Sequence, residues 1–292
     1  MKIGITADCS SGVEYAPFKH NIKITRTTIN MGDQVLVDGV DITADEFYQK
    51  LETVDYVPTT AAPSIGEVAK RALEWKNEGC TDVIHFPISN GLSTYGINMA
   101  QMGEDVFSDI PIHFFPTRQV CIMQGYLAHY AEILASHGKT VEEIFAACEK
   151  FQNQMTSYFV VDDLKYLMKN GRLKAIPGII GTIISIKPIL HINEEGKIVP
   201  LEKVRTKARA LDHIKDIVEA DSANCNKCIV AVLHANRLAE AESVAEDLRN
   251  RLKNAVRVEV STITPTVGAH IGSGLVGACC LSIDDLEYQD EI

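Results

Sequence analysis

Small hydroxyl side chains gather at three places where an α/β chain would leave a strand and enter a helix. These are Thr6-Ala7-Asp8-Cys9-Ser10-Ser11, Pro58-Thr59-Thr60-Ala61-Ala62-Pro63-Ser64 and Ser89-Asn90-Gly91-Leu92-Ser93-Thr94. Such groups add donors to the free N–H groups and positive dipole end of a helix N-terminus, which suits a carboxylate or a phosphate. The same residue types are also the best helix caps. Ser64 already occupies the cap position of the next helix, so Thr60, four residues upstream, is free to face a ligand. His270 lies in Thr264-Pro265-Thr266-Val267-Gly268-Ala269-His270-Ile271-Gly272-Ser273-Gly274, which reads as a Gly-rich, non-helical stretch. Backbone there approaches a ligand closely, although glycines serve tight turns equally well. Arg172 follows Asn170-Gly171 at a helix end, where an arginine either meets an anion or complements the helix dipole.

Known enzyme signatures fail on detail. Gly91-Leu92-Ser93-Thr94-Tyr95 has a tyrosine where the strained turn of a G-x-S-x-G hydrolase needs its second glycine. Gly272-Ser273-Gly274-Leu275-Val276-Gly277 matches G-x-G-x-x-G, but only 15 residues follow it, too few for a βαβ unit. There is no G-x-x-x-x-G-K-[ST] phosphate loop. Cys225-Asn226-Lys227-Cys228 could hold half of a zinc site, yet the vicinal Cys279 and Cys280 lack the spacing of a second ligand pair, so no metal is expected. The nine histidines include several, such as His85 and His113, that fall inside strands and read as structural.

The elements that must position these groups change character along the chain. Residues 2–6, 82–88 and 112–115 read as strands, alternating with helical patterns over 64–79, 93–106, 125–137 and 141–154, which predicts βαβ units and a mainly parallel sheet. From residue 157 the pattern becomes strand, helix, an Ile-rich stretch and two hairpin strands around Glu194-Glu195-Gly196. Helices at 206–219 and 238–253 then alternate with strands at 228–234 and 256–263. The expected fold class is therefore α/β with two domains. A three-layer α/β/α domain with a mainly parallel sheet spans 1–155, and a two-layer α+β domain with a mixed sheet spans 156–292. The apolar stretch 175–190 is too short for a bilayer and is interrupted by Lys187, so it belongs in a core or lines a pocket.

Twenty-eight basic against 39 acidic residues give a net charge of −11 with no run of Lys or Arg, which excludes a nucleic-acid partner. An anionic ligand would have to be held by a few local groups against that field. The start, MKIGITADCSS, reads as a first strand rather than a signal, and eight scattered cysteines indicate reduced thiols and a cytoplasmic location.

The ordered set of these motifs resembles the DegV family, two-domain bacterial proteins that bind fatty acids. The resemblance is carried by Thr6-Ala7-Asp8-Cys9-Ser10, Asp38-Gly39-Val40-Asp41-Ile42, Glu46-Phe47-Tyr48, Thr60 through Ser64, Ile88-Ser89 through Leu92-Ser93, and Asp163-Leu164-Lys165-Tyr166-Leu167 leading to Gly171-Arg172. It continues through Ile186-Lys187-Pro188-Ile189-Leu190, Val204-Arg205 and Gly268-Ala269-His270. It implies a long-chain fatty acid such as palmitate, stearate or oleate in the interdomain cleft. Thr60 and Ser93 would bond its carboxylate, Arg172 and His270 would lie near the head group, and Asp8, Ser10, Ser89 and Leu92 would complete the site. The segment 176–186 would wall the acyl tunnel. It further implies no cofactor and no catalysis by the chain itself, but a monomeric carrier in transient contact with a membrane. That carrier would present its ligand to a fatty acid kinase for acyl phosphate formation. Ala61, Ala62 and Asn90 depart from the family pattern around the head group, as do Thr94-Tyr95-Gly96 and Pro116-Thr117. Two alternatives remain open: a Ser93/His270 esterase or acyltransferase with Asp8 orienting the imidazole, and a regulator that binds a small anion.

Overall fold

The structure is a computed structural model and describes residues 2–107, 109–173 and 186–292, without the side chains of 104–106. Its first strand, β1 (Ile3–Asp8), is buried along its whole length, as a central strand of a sheet covered on both faces must be. β2 (Lys23–Thr25) follows, then β3 (Thr28–Met31) and β4 (Gln34–Val37), joined through Gly32 at φ 61°. Next come α1 (Ala44–Leu51), β5 (Thr59–Ala61), α2 (Ile65–Asn77), β6 (Asp82–Phe86), α3 (Tyr95–Val106) and β7 (Ile112–Phe114). β2, β1, β6 and β7 form a four-stranded sheet, parallel at every pairing. β4, β3 and β5 form a separate antiparallel sheet that the sequence reading did not contain.

Alternation along the parallel strands builds the layers. Val83 faces Trp75 of α2, whereas Ile5, Ile84 and Phe86 face the following helix, α4 (Ile122–Ser136). α4 (IMQGYLAHYAEILAS) is apolar nearly all round and almost wholly buried, as expected of a helix covered on every side. On one side it packs against β1 and β6. On the other, Tyr126 and Tyr130 share a core with the second half of the chain.

That second half begins after α5 (Val141–Gln152). Its elements are β8 (Met155–Val160), α6 (Lys165–Lys169), β9 (Ile189–Ile192), β10 (Ile198–Glu202), α7 (Lys207–Ser222), β11 (Cys228–His234), α8 (Leu238–Arg251), β12 (Ala255–Thr262), α9 (Pro265–Ile271) and β13 (Val276–Ser282). The strands run β10-β9-β8-β13-β11-β12, antiparallel except for the β11/β12 pair. Val230, Val232, Ala278 and Cys280 pack under α7 and α8, while Ile229, Leu233, Phe159 and Cys279 point the other way, toward α4. The fold is thus the expected one, a three-layer α/β/α unit with a parallel sheet joined to a two-layer unit with a mixed sheet.

Two readings are corrected. The stretch around His270 is a helix, α9, because Pro265 at its first turn is preorganised for helical φ and Gly272 at φ 78° ends it. Thr60 sits on a strand, opposite Ile29 of β3, rather than in a loop. Of the Ile-rich stretch expected to wall a tunnel, residues 176–185 lie outside the described residues.

Gly4 decides how α2 meets the sheet. A Cβ there would lie 2.3 Å from the Trp75 ring, which covers β1 and donates from Nε1 to the Ile5 carbonyl at 3.0 Å. Gly4→Val should therefore force the indole off the strand and destabilise the protein by about 1–3 kcal/mol or more. Urea unfolding followed by the emission of this single tryptophan reads the effect, and an unchanged midpoint would refute the contact.

Candidate functional site

The parallel pairing of β1 with β6 brings their carboxyl ends to one edge, where ligands sit in sheets of this kind. Asp8, the last residue of β1, organises that edge. Its Oδ1 accepts from Ser10 N at 2.9 Å, from the Ser10 hydroxyl and from Gln124 Nε2 at 3.3 Å, and its Oδ2 accepts from Ile88 N at 2.7 Å. One buried carboxylate thus ties β1, the loop after β6 and α4 together. Burial raises its pKa, and these four donors pull the other way. Ser89, also buried, donates to Gly196 O at 2.8 Å and accepts from Gly91 N at 3.1 Å, which fastens the loop after β6 to the β9/β10 turn.

A cavity of about 270 Å³ opens from this edge toward the six-stranded sheet. Seven of the eight expected site residues line it: Asp8, Ser10, Thr60, Leu92, Ser93, Arg172 and His270. Ser89 does not, because its hydroxyl is committed to the turn. Asp8 and Ser10 stand in the wall with their polar atoms engaged in the Asp8–Gln124 network. The free donors lie elsewhere. Ser93 Oγ accepts from Tyr95 N at 3.2 Å, which leaves its own proton to give. Arg172 donates to Asn170 O and, among the described residues, has no carboxylate partner. Burial lowers the Arg172 pKa from its usual high value.

Thr60 Oγ1 and His270 Nε2 are 2.8 Å apart, and among the described residues His270 Nδ1 has no partner. Burial and the Arg172 charge push the imidazole down to about 4, so it is neutral at pH 7. Either tautomer then leaves one donor over. If Thr60 donates to Nε2, Nδ1 carries an unused N–H; if Nε2 donates, the threonine proton is unused. With Ser93 and Arg172 the site, among the described residues, therefore offers donors and one positive charge without a competing free carboxylate, which is the chemistry of an anion head group.

α9 holds His270 in place through contacts from distant parts of the chain. Asp38 Oδ2 accepts from Thr266 N at 2.8 Å in its first turn, Asn170 Nδ2 donates to Ala269 O at 3.2 Å, and Tyr48 OH donates to Ile263 O at 3.0 Å. Gly268 lets Phe47 and Tyr48 of α1 approach to 2.7 Å of where a Cβ would sit. Asp38 was visible in the sequence only as a family match, and nothing in its local pattern marks it as the cap of a helix more than two hundred residues away.

Most of the rest of the wall is apolar and was missed. It includes Met123, Phe159, Ile192, Leu233 and Leu275, drawn from α4, β8, β9 and β11 and from beside β13. Cys121, before α4, also contributes, at a left-handed φ of 57°. These residues read in sequence as ordinary core, and only tertiary packing brings them to one space. No group of three His, Cys, Asp or Glu among the described residues is arranged to hold a metal.

The two titrating groups of α9 should act on stability with opposite signs. His270 is depressed in the folded state, so its contribution is complete above about pH 6.5 and is lost toward pH 4. Burial raises Asp38 to about 6, so its contribution is complete below the ordinary carboxylate range and is lost as pH rises toward 6. Relative to wild type, His270→Gln should gain stability as pH falls from 7 to 4.5 and Asp38→Asn should lose it. Urea midpoints at the two pH values measure both, and parallel shifts in the two variants would sink the assignment.

The model of the DegV family, described as "Uncharacterised protein, DegV family", matches residues 2–282. A DegV domain-containing protein of Listeria innocua is 32% identical over 240 residues, covering 82% of this chain and 84% of that protein. Among solved structures, a fatty acid binding DegV family protein from Streptococcus agalactiae superposes with a TM-score of 0.85 at 29% identity, over 97% of this chain and 99% of that one. DegV from Bacillus subtilis, described as a fatty acid binding protein, gives 0.84 at 27% identity with the same coverage. With its sequence matched almost end to end and its fold shared with these proteins, the chain belongs to the DegV family.

Proposed function

We propose that this protein binds a long-chain fatty acid, with the carboxylate at Thr60, Ser93, Arg172 and His270 and the acyl chain in the apolar part of the cavity. The observation that carries the reading is the union, in one cavity, of a donor-rich mouth with a wall of Met123, Phe159, Ile192, Leu233 and Leu275. Each buried CH₂ contributes about 0.8 kcal/mol, so the chain supplies most of the affinity and the mouth supplies orientation. The fatty acid descriptions of the two DegV structures that are 29% and 27% identical support the same ligand. A small-anion regulator would leave this apolar wall unused.

The site residues favour a carrier over a hydrolase. A Ser93/His270 hydrolase would need the imidazole at Ser93 with Asp8 orienting it, but His270 Nε2 meets Thr60 Oγ1 and Asp8 is engaged with Ser10, Gln124 and Ile88. A bound carboxylate would then need activation from outside, and we assign that step to a fatty acid kinase that transfers a phosphoryl group from ATP to the carboxylate oxygen, giving an acyl phosphate and ADP. The division near residue 155 belongs to the same proposal. It is supported by the fact that, among the described residues, no strand pairing joins a strand before residue 155 to one after it, and the cavity draws on both parts. No helix of the described residues is long and apolar enough to cross a membrane. We place the carrier in the cytoplasm, where its eight unpaired thiols would persist.

Thr60→Ala or Ser93→Ala should weaken palmitate or oleate binding by about 1–3 kcal/mol, the cost of a buried polar group left without its partner. Calorimetric titration reads this, and wild-type affinity in both variants would overturn the head-group assignment. Denaturing mass spectrometry of the protein purified from a bacterial host should release a sixteen- or eighteen-carbon acid. A protein that carries none and ignores added palmitate and oleate would rule out the carrier reading.

A further inference from the structure

We propose that the cavity prefers acyl chains bearing a hydrogen-bonding substituent, a hydroxyl or keto group, part-way along their length, and that Ser157 is the residue that selects them. The inference rests on the fatty acid reading above and adds the chemical class of chain.

Three consecutive hydroxyl-bearing residues of β8 carry the argument. Thr156 and Tyr158 point toward α7, and both hydroxyls donate to Asp221 Oδ2, at 2.7 and 2.8 Å. Ser157 points to the opposite face, shared with Met155 and Phe159, and lines the cavity. It is only 8% exposed, and among the described residues its Oγ has no hydrogen-bond partner. Cys279, directly opposite on β13, offers only a weakly hydrogen-bonding thiol, and Phe159, Ile192 and Leu233 are apolar residues of the same cavity. A buried hydroxyl left unpaired carries a desolvation penalty that alanine, with nearly the same volume, would avoid. A plain alkyl chain fills the space and leaves that penalty in place. A chain hydroxyl or keto oxygen at this depth satisfies Ser157 and finds its own partner at the same time.

The position along the chain follows from the strand. Leu275 and Cys279 both line the cavity, and α9, with His270, ends just before Leu275. Four residue steps lead from Leu275 to Cys279, so at about 3.3 Å per step Ser157, opposite Cys279, lies about 13 Å along the sheet from Leu275. The favoured substituent is therefore remote from the carboxylate.

The test is a binding series with stearate and its 2-, 10- and 12-hydroxy derivatives on the wild-type protein, Ser157→Ala and Ser157→Thr. The 10- or 12-hydroxy acid should bind the wild type about three- to tenfold more tightly than stearate, the yield of one net hydrogen bond, and the 2-hydroxy acid should show no such gain. Ser157→Ala should reverse the preference, since the ligand hydroxyl is then unpaired, while Ser157→Thr should keep it. Mid-chain hydroxy acids that bind wild type no better than stearate, or a preference that survives in Ser157→Ala, would overturn the proposal. The wild-type series alone decides the matter if a variant fails to fold. Stearate separates the two levels of the argument. If stearate binds and the isomers are not distinguished, only the role of Ser157 falls, whereas if no acid binds, the fatty acid reading falls and takes this proposal with it.

Discussion

The hydrogen bonds that converge on the Asp8 carboxylate are what the rest of the cavity depends on. Burying an ionised carboxyl group is costly unless donors replace its water, and here Ser10 N, the Ser10 hydroxyl, Gln124 and Ile88 N take that place. The donors come from three elements, so satisfying one charge fixes how β1, the loop after β6 and α4 meet. Ser93 is carried on that loop, and Ser89 extends the same fixation to the β9/β10 turn. A second buried acid, Asp38, plays the matching part on the other side by accepting from Thr266 N and so holding α9. Asp8 is engaged by groups of the wall and Asp38 lies behind α9 rather than in the cavity lining, so neither stands among the donors of the mouth.

What was legible in the sequence, and what was not, divides along the same physical line. The parallel strands β1 and β6 and the helices α2, α4 and α5 showed themselves because their apolar periodicity is local and strong. Ser64 could be read as a cap from position alone, and its hydroxyl does accept from Glu67 N. The antiparallel sheet of β3, β4 and β5 was overlooked because its strands are only three or four residues long, although Met31-Gly32-Asp33-Gln34 is a hairpin turn between β-branched runs. α9 was mistaken for irregular chain because Gly268 argued against helix, whereas that glycine answers a packing demand from Phe47 and Tyr48. A tertiary contact overrode local propensity there, and it did so at the helix that carries His270.

The candidate site was read mostly through its polar members. Thr60, Ser93, Arg172 and His270 were named in advance because hydroxyls, cations and imidazoles stand out against a sequence background. Ser89 was drawn in by proximity to Ser93, yet sequence spacing does not say which of two nearby hydroxyls turns toward a cavity and which fastens a turn. The apolar wall carried no such signal. Leu233 and Ile192 look like any buried strand residue, and whether they face a helix or a cavity depends on the pairing register of a six-stranded sheet assembled from segments far apart in the chain.

The electrostatic arrangement bears on how a carrier could keep its cargo while the head group reacts. The protein as a whole carries −11, which repels an anion at long range. Within the mouth, Arg172 is the only formally charged donor among the described lining residues, and burial, aided by its field, holds His270 in the neutral form. A doubly cationic mouth would grip a carboxylate tightly and lower its nucleophilicity toward a phosphoryl donor. In the proposed function, one cation with neutral donors from Thr60, Ser93 and His270 would orient the carboxylate while leaving most of the binding energy in the acyl chain, where it is insensitive to the chemistry at the head group. Converting the carboxylate to an acyl phosphate would then change the mouth's contacts and leave the chain's contacts as they were, so the product would stay bound by its tail.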